Sequence, residues 1–264
     1  MEEFAKTVDG LQDITDVIMF VHGYTVQPSE ILTNFGGKPI QNVFDPHVLV
    51  MPVVWSSVTI SNTEVESIVG YLVDRARAEK AGECLHKFFR QAQTECKKSG
   101  VVRKVFAGGK FHLLAHSMGC FVTYIMGQKT TRGDLEKGNF DFGVIVIKQA
   151  NAAPDWFNEN SENFKQSGSK IVKITNRVLL LWSPDDATLK ALAESKLATK
   201  IYGSNDLGLT GPGNVNHVKN LKVINASTQF PGLDNYHAYL GLQEFGNLVV
   251  GEIKKVSLLY SKVA

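Results

Sequence analysis

The sequence predicts an α/β fold with a doubly wound, mostly parallel sheet of about six strands and helices on both faces. Two observations predict it. Short apolar runs alternate with segments of helical periodicity along most of the chain, and the runs lack the polar alternation of strands that face water on one side. The runs are Val17–Val21, Val48–Trp55, Phe111–Ala115, Phe142–Ile147, Arg177–Trp182 and Leu221–Ile224.

Each helical segment lies between two of these runs or follows the last one. With 264 residues and 44% hydrophobic content, the chain is long enough for one domain with a large core. Because only about twenty residues separate Ala153 from the fifth run, we expect residues 1–264 to form a single domain without a large cap. The predicted helices are Val65–Ser99, Met118–Lys129, Asp186–Leu197 and a terminal helix from about Tyr239.

Charge and composition narrow the class of partner. The net charge of +2 results from 28 basic and 26 acidic residues spread along the chain, which predicts a small-molecule partner and no nucleic acid. Two of the three cysteines lie too far apart on one helix to bridge, which favours a reducing compartment. No run approaches the length of a membrane span, and the start of the chain lacks a signal-peptide pattern. We therefore expect a cytoplasmic protein without a membrane span.

The third run ends in a small-x-Ser-x-Gly turn that leads directly into a helical pattern. Ala115 and Gly119 lie two residues before and two residues after Ser117, where a sharp strand-to-helix turn needs small side chains. The pattern is typical of a nucleophile elbow, in which the serine adopts a strained backbone conformation and exposes its hydroxyl group. The alternative is that Ser117 caps the helix that follows it.

Other polar residues follow the fifth and sixth runs. Asp185 and Asp186 come after the fifth run, and His237 comes after the sixth. The loops at the carboxyl ends of parallel strands are where such sheets bind ligands. Serine, acid and histidine therefore occur in the chain order of a hydrolase triad on this type of sheet.

The base and the acid of this triad each have alternatives. His237 is favoured as the base because His217 precedes the sixth run and so lies at the wrong end of the sheet. Asp186 is favoured as the acid because it leaves room for the chain to turn back toward the histidine. Asp185 is either an alternative acid or the cap of the following helix, and Asp155 after the fourth run is the third candidate.

The loop after the first run is the candidate oxyanion hole. Gly23 allows the backbone to approach a substrate closely. The backbone N–H of Tyr24, together with that of Met118 directly after the serine, would then hold the oxyanion. The alternative is an ordinary turn from strand to loop.

These motifs resemble those of the α/β-hydrolase superfamily, and more narrowly those of a bacterial family of α/β hydrolases of unknown function. The resemblance runs from Val17 to about Tyr239. It implies the α/β-hydrolase fold, and it makes Ser117, Asp186 and His237 correspond to the presumed triad. The matching segments are Phe20–Tyr24, Val54–Ser57, Tyr71–Glu79, Ala115–Gly119, Ala152–Asp155, Trp182–Leu189 and His237–Tyr239.

The chain departs from the superfamily at its first strand. The superfamily usually opens with an antiparallel hairpin, whereas sixteen residues precede Val17, so we expect a shortened sheet. The strand near Val48 would then lie at an edge and need other cover or a partner subunit. A homo-oligomer is therefore one expectation.

The sequence thus predicts a serine hydrolase that cleaves small-molecule carboxylic esters through an acyl-enzyme and needs no metal or organic cofactor. Thioester or lipid substrates are alternatives, because the same machinery serves any acyl transfer. A non-catalytic binding protein that has kept the fold is the alternative from another class. Three aromatic residues after the fourth run either line an acyl pocket or pack against the sheet edge. They are Trp156, Phe157 and Phe164.

Overall fold

The computed structural model describes residues 14–24, 26, 41–57, 64–98, 110–136, 142–195, 206–237 and 239–261. Within these residues, six strands form a single sheet in which every neighbouring pair is parallel. This confirms the predicted fold class. The strands are β1 (Asp16–Val21), β2 (Val48–Val53), β3 (Phe111–His116), β4 (Phe142–Lys148), β5 (Thr175–Trp182) and β6 (Leu221–Asn225).

The strand order, β2-β1-β3-β4-β5-β6, determines where a ligand can bind. The chain passes from β1 to β2 at one edge, returns past β1 to β3, and then continues outward through β4, β5 and β6. The connections after β1 and β3 therefore run to opposite sides, which opens a crevice at the carboxyl ends of these two neighbouring strands. Residues 22–24 follow β1 and Ser117 follows β3, so both of these predicted motifs lie at the crevice.

Helices cover both faces of the sheet, as predicted. In β1, Val17, Met19 and Val21 belong to the core on one face, whereas Ile18 and Phe20 belong to the core on the other. Within the described residues, no helix has the length and apolarity needed to span a membrane. The helices are α1 (Glu64–Lys98), α2 (Met118–Lys129), α3 (Arg132–Glu136), α4 (Ser169–Lys173), α5 (Ala187–Glu194), α6 (Leu207–Thr210), α7 (Ala226–Gln229) and α8 (Gln243–Ser261).

Two short helical turns of other types accompany these helices. Phe164–Gly168 forms a π-helical turn before α4, and Tyr239–Gly241 forms a 3₁₀ turn. The terminal helix, predicted to start near Tyr239, therefore begins at Gln243 instead. Helix α1 supplies core residues on one face of the sheet, and α8 supplies core residues on the other.

The outer edge of β2 is covered from within the chain. The Gln41 side chain makes hydrogen bonds that a neighbouring strand would make. Its Nε2 donates to the Val48 carbonyl at 2.7 Å, and its Oε1 accepts the Val50 N–H at 2.9 Å. The Val48 N–H donates to the Asp45 carbonyl at 2.8 Å. Pro52, the next outward residue by strand alternation, has no N–H. The edge strand is thus covered in part from within the chain, which is one of the two kinds of cover expected from the sequence.

Candidate active site

Ser117 occupies a strained turn between β3 and α2. Its φ of 54° and ψ of −120° form a combination that is rare outside glycine. The turn is held by the Ser117 N–H, which donates to the Lys148 carbonyl at 3.0 Å, and by the Asn151 N–H, which donates to the Ser117 carbonyl at 3.2 Å. Among the described residues the Ser117 side chain makes no capping hydrogen bond, which argues against the helix-cap alternative.

The glycine two residues after Ser117 is required by packing. A Cβ on Gly119 would lie 2.2 Å from the Val21 carbonyl oxygen and 2.7 Å from that of His22. Ala115, two residues before the serine, is fully buried in the sheet. The small side chains of the pattern therefore let α2 begin directly against the end of β1.

His237 and Asp186 are hydrogen-bonded to each other. The Nδ1 of His237 lies 2.8 Å from Oδ2 of Asp186, whose side chain is fully buried, while the histidine side chain is 13% exposed. A carboxylate can only accept, so Nδ1 carries the proton, and in the neutral imidazole Nε2 then has the lone pair that a general base requires. The His237 ring lies 4.8 Å from that of His116, the residue before Ser117. The imidazole is therefore at the same edge of the sheet as the serine.

Asp186 also caps α5. Its Oδ1 accepts the Leu189 N–H at 2.9 Å, while Oδ2 binds the histidine. The alternative that Asp185 caps this helix is wrong, because the Asp185 side chain is exposed and lies 3.8 Å from Lys190 Nζ. The cap fixes the orientation of the Asp186 carboxylate, and the helix N-terminus favours its negative charge.

The other candidate acid and base contact a different part of the chain. Asp155 accepts a hydrogen bond from Asn163 Nδ2 at 2.7 Å. His217 Nδ1 lies 3.8 Å from a Glu159 carboxylate oxygen, and its ring meets that of Phe164 edge-on. These contacts tie both residues to the segment after β4, whereas His237 and Asp186 bond to each other.

His22 orients the backbone that carries the Tyr24 N–H. Its Nε2 accepts the Trp55 N–H at 3.3 Å, so its Nδ1 carries the proton and donates to the Gly23 carbonyl at 2.8 Å. The C=O and N–H of a trans peptide point in opposite directions, so the Tyr24 N–H points away from the His22 ring. A Cβ on Gly23 would lie 2.9 Å from Ser117 Cβ, which places this peptide beside the serine.

Met118 supplies the other predicted oxyanion donor. It is the first residue of the 12-residue helix α2, and the N–H groups of the first helical turn have no acceptor within the helix. The positive end of the helix dipole points the same way. Tyr24 and Met118 therefore follow β1 and β3, the two strands that border the crevice.

Replacing Gly23 with alanine is expected to lower kcat/KM for an ester about 10- to 100-fold, because the new methyl group must displace the serine or the Tyr24 peptide. The contact that causes this is the 2.9 Å approach to Ser117 Cβ. Steady-state kinetics would measure the loss. Gly251→Ala is the matched control, since a Cβ there meets nothing within 4 Å in the described structure, and it should leave kcat/KM unchanged. Equal kinetics for both variants would contradict the prediction.

The same loop makes the fold sensitive to acid. Burial lowers the pKa of His22 from 6.5 to about 4, and its ring is stacked on Trp55 with centroids 5.0 Å apart. Between these pH values the unfolded chain binds a proton that the folded protein excludes. Above pH 6.5 His22 is neutral in both states and does not lower the free energy of unfolding. Protonation of His22 in the unfolded chain should lower this free energy by about 3 kcal/mol by pH 4.

Urea unfolding at several pH values would measure this loss of stability. Burial also lowers the pKa of His112 and His116, which adds to the loss in the same direction. The variant His22→Phe has no group to protonate, so its unfolding free energy should depend less steeply on pH. An identical pH dependence in this variant would contradict the assignment to His22.

Three residues at the site were missed in the sequence. Lys148 and His116 both donate hydrogen bonds to the His237 carbonyl. Gln149 has a positive φ of 44°, and neither polar atom of its buried amide has a hydrogen-bond partner in the described part of the chain. A signal for Lys148 was available, because it is a lysine at the carboxyl end of an otherwise apolar strand.

The aromatic residues after β4 belong mainly to the core. Trp156 and Phe157 are fully buried, and the Trp156 Nε1–H donates to Ser167 Oγ at 3.1 Å. Phe164 is half-buried and contacts His217. The acyl-pocket alternative is therefore wrong for Trp156 and Phe157, which belong to the core on one face of the sheet, with the Trp156 ring edge-on to that of Tyr124 on α2.

The arrangement is suited to acid–base and nucleophilic chemistry by side chains. In the described ranges, no group of three or more His, Cys, Asp or Glu side chains could hold a metal ion. The buried carboxylate of Asp186 accepts hydrogen bonds from a histidine and from the N-terminus of a helix. A serine in a strained turn lies at the same edge of the sheet.

Comparison with protein families agrees with this geometry. A family model described as an alpha/beta hydrolase of unknown function (DUF900) matches residues 2–204. The chain belongs to this family. The match includes β1 to β5, and with the six-stranded parallel sheet it establishes that this α/β hydrolase has the α/β-hydrolase fold. The match ends before His237, so it does not include the candidate base. A search of curated proteins finds no match.

Proposed function

We propose that this α/β hydrolase is a serine hydrolase that cleaves carboxylic esters through an acyl-enzyme, with Ser117, His237 and Asp186 as its triad. The observation that carries the proposal is the 2.8 Å hydrogen bond between His237 Nδ1 and the buried Asp186 carboxylate. It leaves Nε2 as the acceptor at the edge of the sheet where Ser117 lies.

In the proposed mechanism, Ser117 Oγ attacks the ester carbonyl carbon while its proton passes to His237 Nε2. The carbonyl oxygen becomes an oxyanion, and the N–H groups of Tyr24 and Met118 donate to it. The C–O bond to the leaving group then breaks, and the imidazolium returns the proton to the departing alcohol. Asp186 stabilises the imidazolium throughout, because its carboxylate stays bonded to Nδ1.

Water completes the cycle by the same steps. His237 removes a proton from water as the water oxygen attacks the acyl carbon, and the oxyanion again occupies the hole. Collapse of this second tetrahedral species breaks the bond to Ser117 Oγ, which recovers its proton from the imidazolium. The products are a carboxylic acid, the alcohol and the unchanged enzyme.

We also infer that residues 1–264 form one domain without a large cap. The segment between β4 and β5 is where a cap would be inserted. It places Trp156, Phe157 and Ile171 in the core, so much of its length packs on the body of the fold. The substrate would then reach Ser117, which is 7% exposed, without passing beneath a separate cap.

Hydrolysis of p-nitrophenyl esters from acetate to palmitate tests the proposed function. We expect turnover with at least part of the series, and the preferred chain length would show how much acyl chain the site accepts. Circular dichroism would establish that the protein is folded. If the folded protein hydrolysed none of the esters in the series, that result would favour the binding-protein alternative.

A further inference from the structure

Lys148 is a fully buried lysine at the carboxyl end of β4. Its Nζ donates to the main-chain carbonyl of His237 at 2.6 Å and lies 3.9 Å from the centre of the Tyr239 ring. The proposed reaction does not use this side chain for proton transfer or for nucleophilic attack. Its amine nevertheless contacts the backbone of His237, which transfers the proton in the proposed reaction.

His116 contacts the same carbonyl from the neighbouring strand. Its Nε2 lies 2.9 Å from the His237 oxygen, and since a carbonyl only accepts, Nε2 carries the proton. The His237 carbonyl thus receives two hydrogen bonds from buried side chains on β3 and β4. These two strands also fix the Ser117 turn, because its N–H donates to the Lys148 carbonyl.

In the described part of the chain, the loop before His237 packs Leu233 and Tyr236 against the core. The His237 N–H donates to Asn235 Oδ1 at 2.9 Å, which closes a short turn without linking it to the sheet. The two bonds from Lys148 and His116 make that link. They set the height of the His237 backbone above β3 and β4, and the Asp186 contact then sets the rotation of the ring.

We propose that Lys148 is a positioning residue, which acts with His116 to hold the His237 backbone so that the imidazole stays aligned between Asp186 and Ser117. This inference rests on the proposed function, since it assigns Lys148 a part in the same triad. Lys148 is not a catalytic residue, because it acts through His237.

The energetics favour a functional role for Lys148. A buried charge is costly, and an apolar side chain of similar volume would fill the position at least as well for stability alone. Burial lowers the pKa of Lys148 to about 7, against the opposing effects of Asp186 and Cys120. A neutral amine retains N–H donors, so the bond to His237 persists in both protonation states. The neutral form also avoids a full positive charge near the imidazolium that forms during the reaction.

The groups around the amine come from several elements. The charges of Asp186, at the start of α5, and of Cys120, on α2, act on the amine, and Tyr239 in the 3₁₀ turn contacts it through its ring. His116 reaches it across the shared carbonyl, and burial and Lys148 both keep the pKa of His116 well below its usual value. The uncharged His116 therefore remains a donor to His237 without adding charge.

The first test is the variant Lys148→Met in the full chain. Methionine keeps the length and apolar body of the side chain but removes the donor. We expect kcat for a p-nitrophenyl ester to fall about 100-fold with KM within about twofold, because a misaligned imidazole slows the chemical step and not binding. The thermal midpoint should stay at or above that of the wild type.

Lys170→Met is the matched control. Lys170 also donates to a backbone carbonyl, that of Gln128 at 2.8 Å, and burial also lowers its pKa, but it lies on α4 away from the site. Its variant should keep the wild-type kcat. Equal losses of kcat in both variants, or a loss in Lys148→Met that tracks a lowered thermal midpoint, would overturn the positioning role.

A second measurement does not depend on ester hydrolysis. The Nδ1–H proton bonded to Asp186 should give a low-field proton resonance in the wild type, and this resonance should broaden or vanish in Lys148→Met but persist in Lys170→Met. That result would support the positioning role even if the wild type hydrolysed no ester. An unchanged resonance in Lys148→Met would overturn it, whatever the activity.

The variant His116→Phe keeps the test available if Lys148→Met fails to fold. It preserves a ring but removes the second donor to the His237 carbonyl. We expect kcat and the low-field resonance to decrease here too, but by less than in Lys148→Met, because the shorter bond from Lys148 remains. Wild-type kcat and an intact resonance in His116→Phe would contradict the proposal that Lys148 and His116 together position the His237 backbone.

Discussion

Replacing Ser117 with alanine is expected to lower kcat for ester hydrolysis by about four to six orders of magnitude. The variant loses the only oxygen that can form the acyl-enzyme in the proposed mechanism, while the strained turn and the oxyanion donors remain. Residual turnover would come from water attack in the oxyanion hole. Steady-state kinetics with the best p-nitrophenyl ester would measure the loss.

The control for this variant is Ser167→Ala. Ser167 is also fully buried, but its hydroxyl bonds Trp156 and the Tyr124 carbonyl in the core, so kcat should not change. The double variant Ser117→Ala with His237→Ala should lose no more activity than Ser117→Ala alone, because the two groups act as a unit. A loss of less than tenfold for Ser117→Ala, or additive losses in the double variant, would contradict this part of the mechanism.

Replacing Asp186 with asparagine is expected to lower kcat about 10⁴-fold with little change in stability. Asparagine still caps α5, because its oxygen can accept the Leu189 N–H and it is a good N-cap residue. Its NH₂ group then takes the place of the oxygen that faces His237 Nδ1, and an NH₂ group cannot accept a hydrogen bond from Nδ1–H. The ring then favours the tautomer with the proton on Nε2, which removes the general base.

Asp185→Asn is the matched control for this substitution. It makes the same chemical change one residue earlier, where the side chain is exposed and lies near Lys190. Its kcat should stay within about twofold of the wild type, and urea unfolding should give similar stabilities for both variants. A comparable loss of kcat in the two variants would contradict the choice of Asp186 as the acid.

The strands and their direction could be predicted from the sequence because parallel strands buried on both faces leave a clear pattern. β4 is buried along its whole length, and its run of Val and Ile residues carries that information locally. The ends of the elements were less predictable. Tyr239 in the 3₁₀ turn Tyr239–Gly241 contacts Lys148, and no local pattern contains this long-range contact.

Two site features could be read from the sequence because the chemistry requires fixed spacing. The elbow at Ser117 needs small residues on both sides, and the His237–Asp186 pair follows the order of the strands. The choice between Asp185 and Asp186 was harder, since both precede α5. It depends on which side chain turns inward, and the helix cap at Asp186 decides this in three dimensions.

The contacts around Ser117 and His237 could not be predicted, because they are made by residues distant in the chain. Lys148 contacts a carbonyl 89 residues away, and His22 binds Trp55 across 33 residues. The strained φ of Gln149 also has no local sequence signature, since glycine is the residue expected at a positive φ. Trp156 and Phe157 were visible in the sequence, but their role was ambiguous, because aromatic residues after a strand suit a pocket or a core equally well.

The most direct test of the triad is labelling with an alkyl fluorophosphonate, followed by mass spectrometry of the peptides. This reagent phosphonylates a serine that a neighbouring base activates, and it needs no knowledge of the natural substrate. We expect a single adduct on Ser117 in the wild type and in Asp185→Asn, with much slower labelling of His237→Ala and Asp186→Asn. A folded wild type that remains unlabelled, or that carries its adduct on another residue such as Ser183, would contradict the proposed triad.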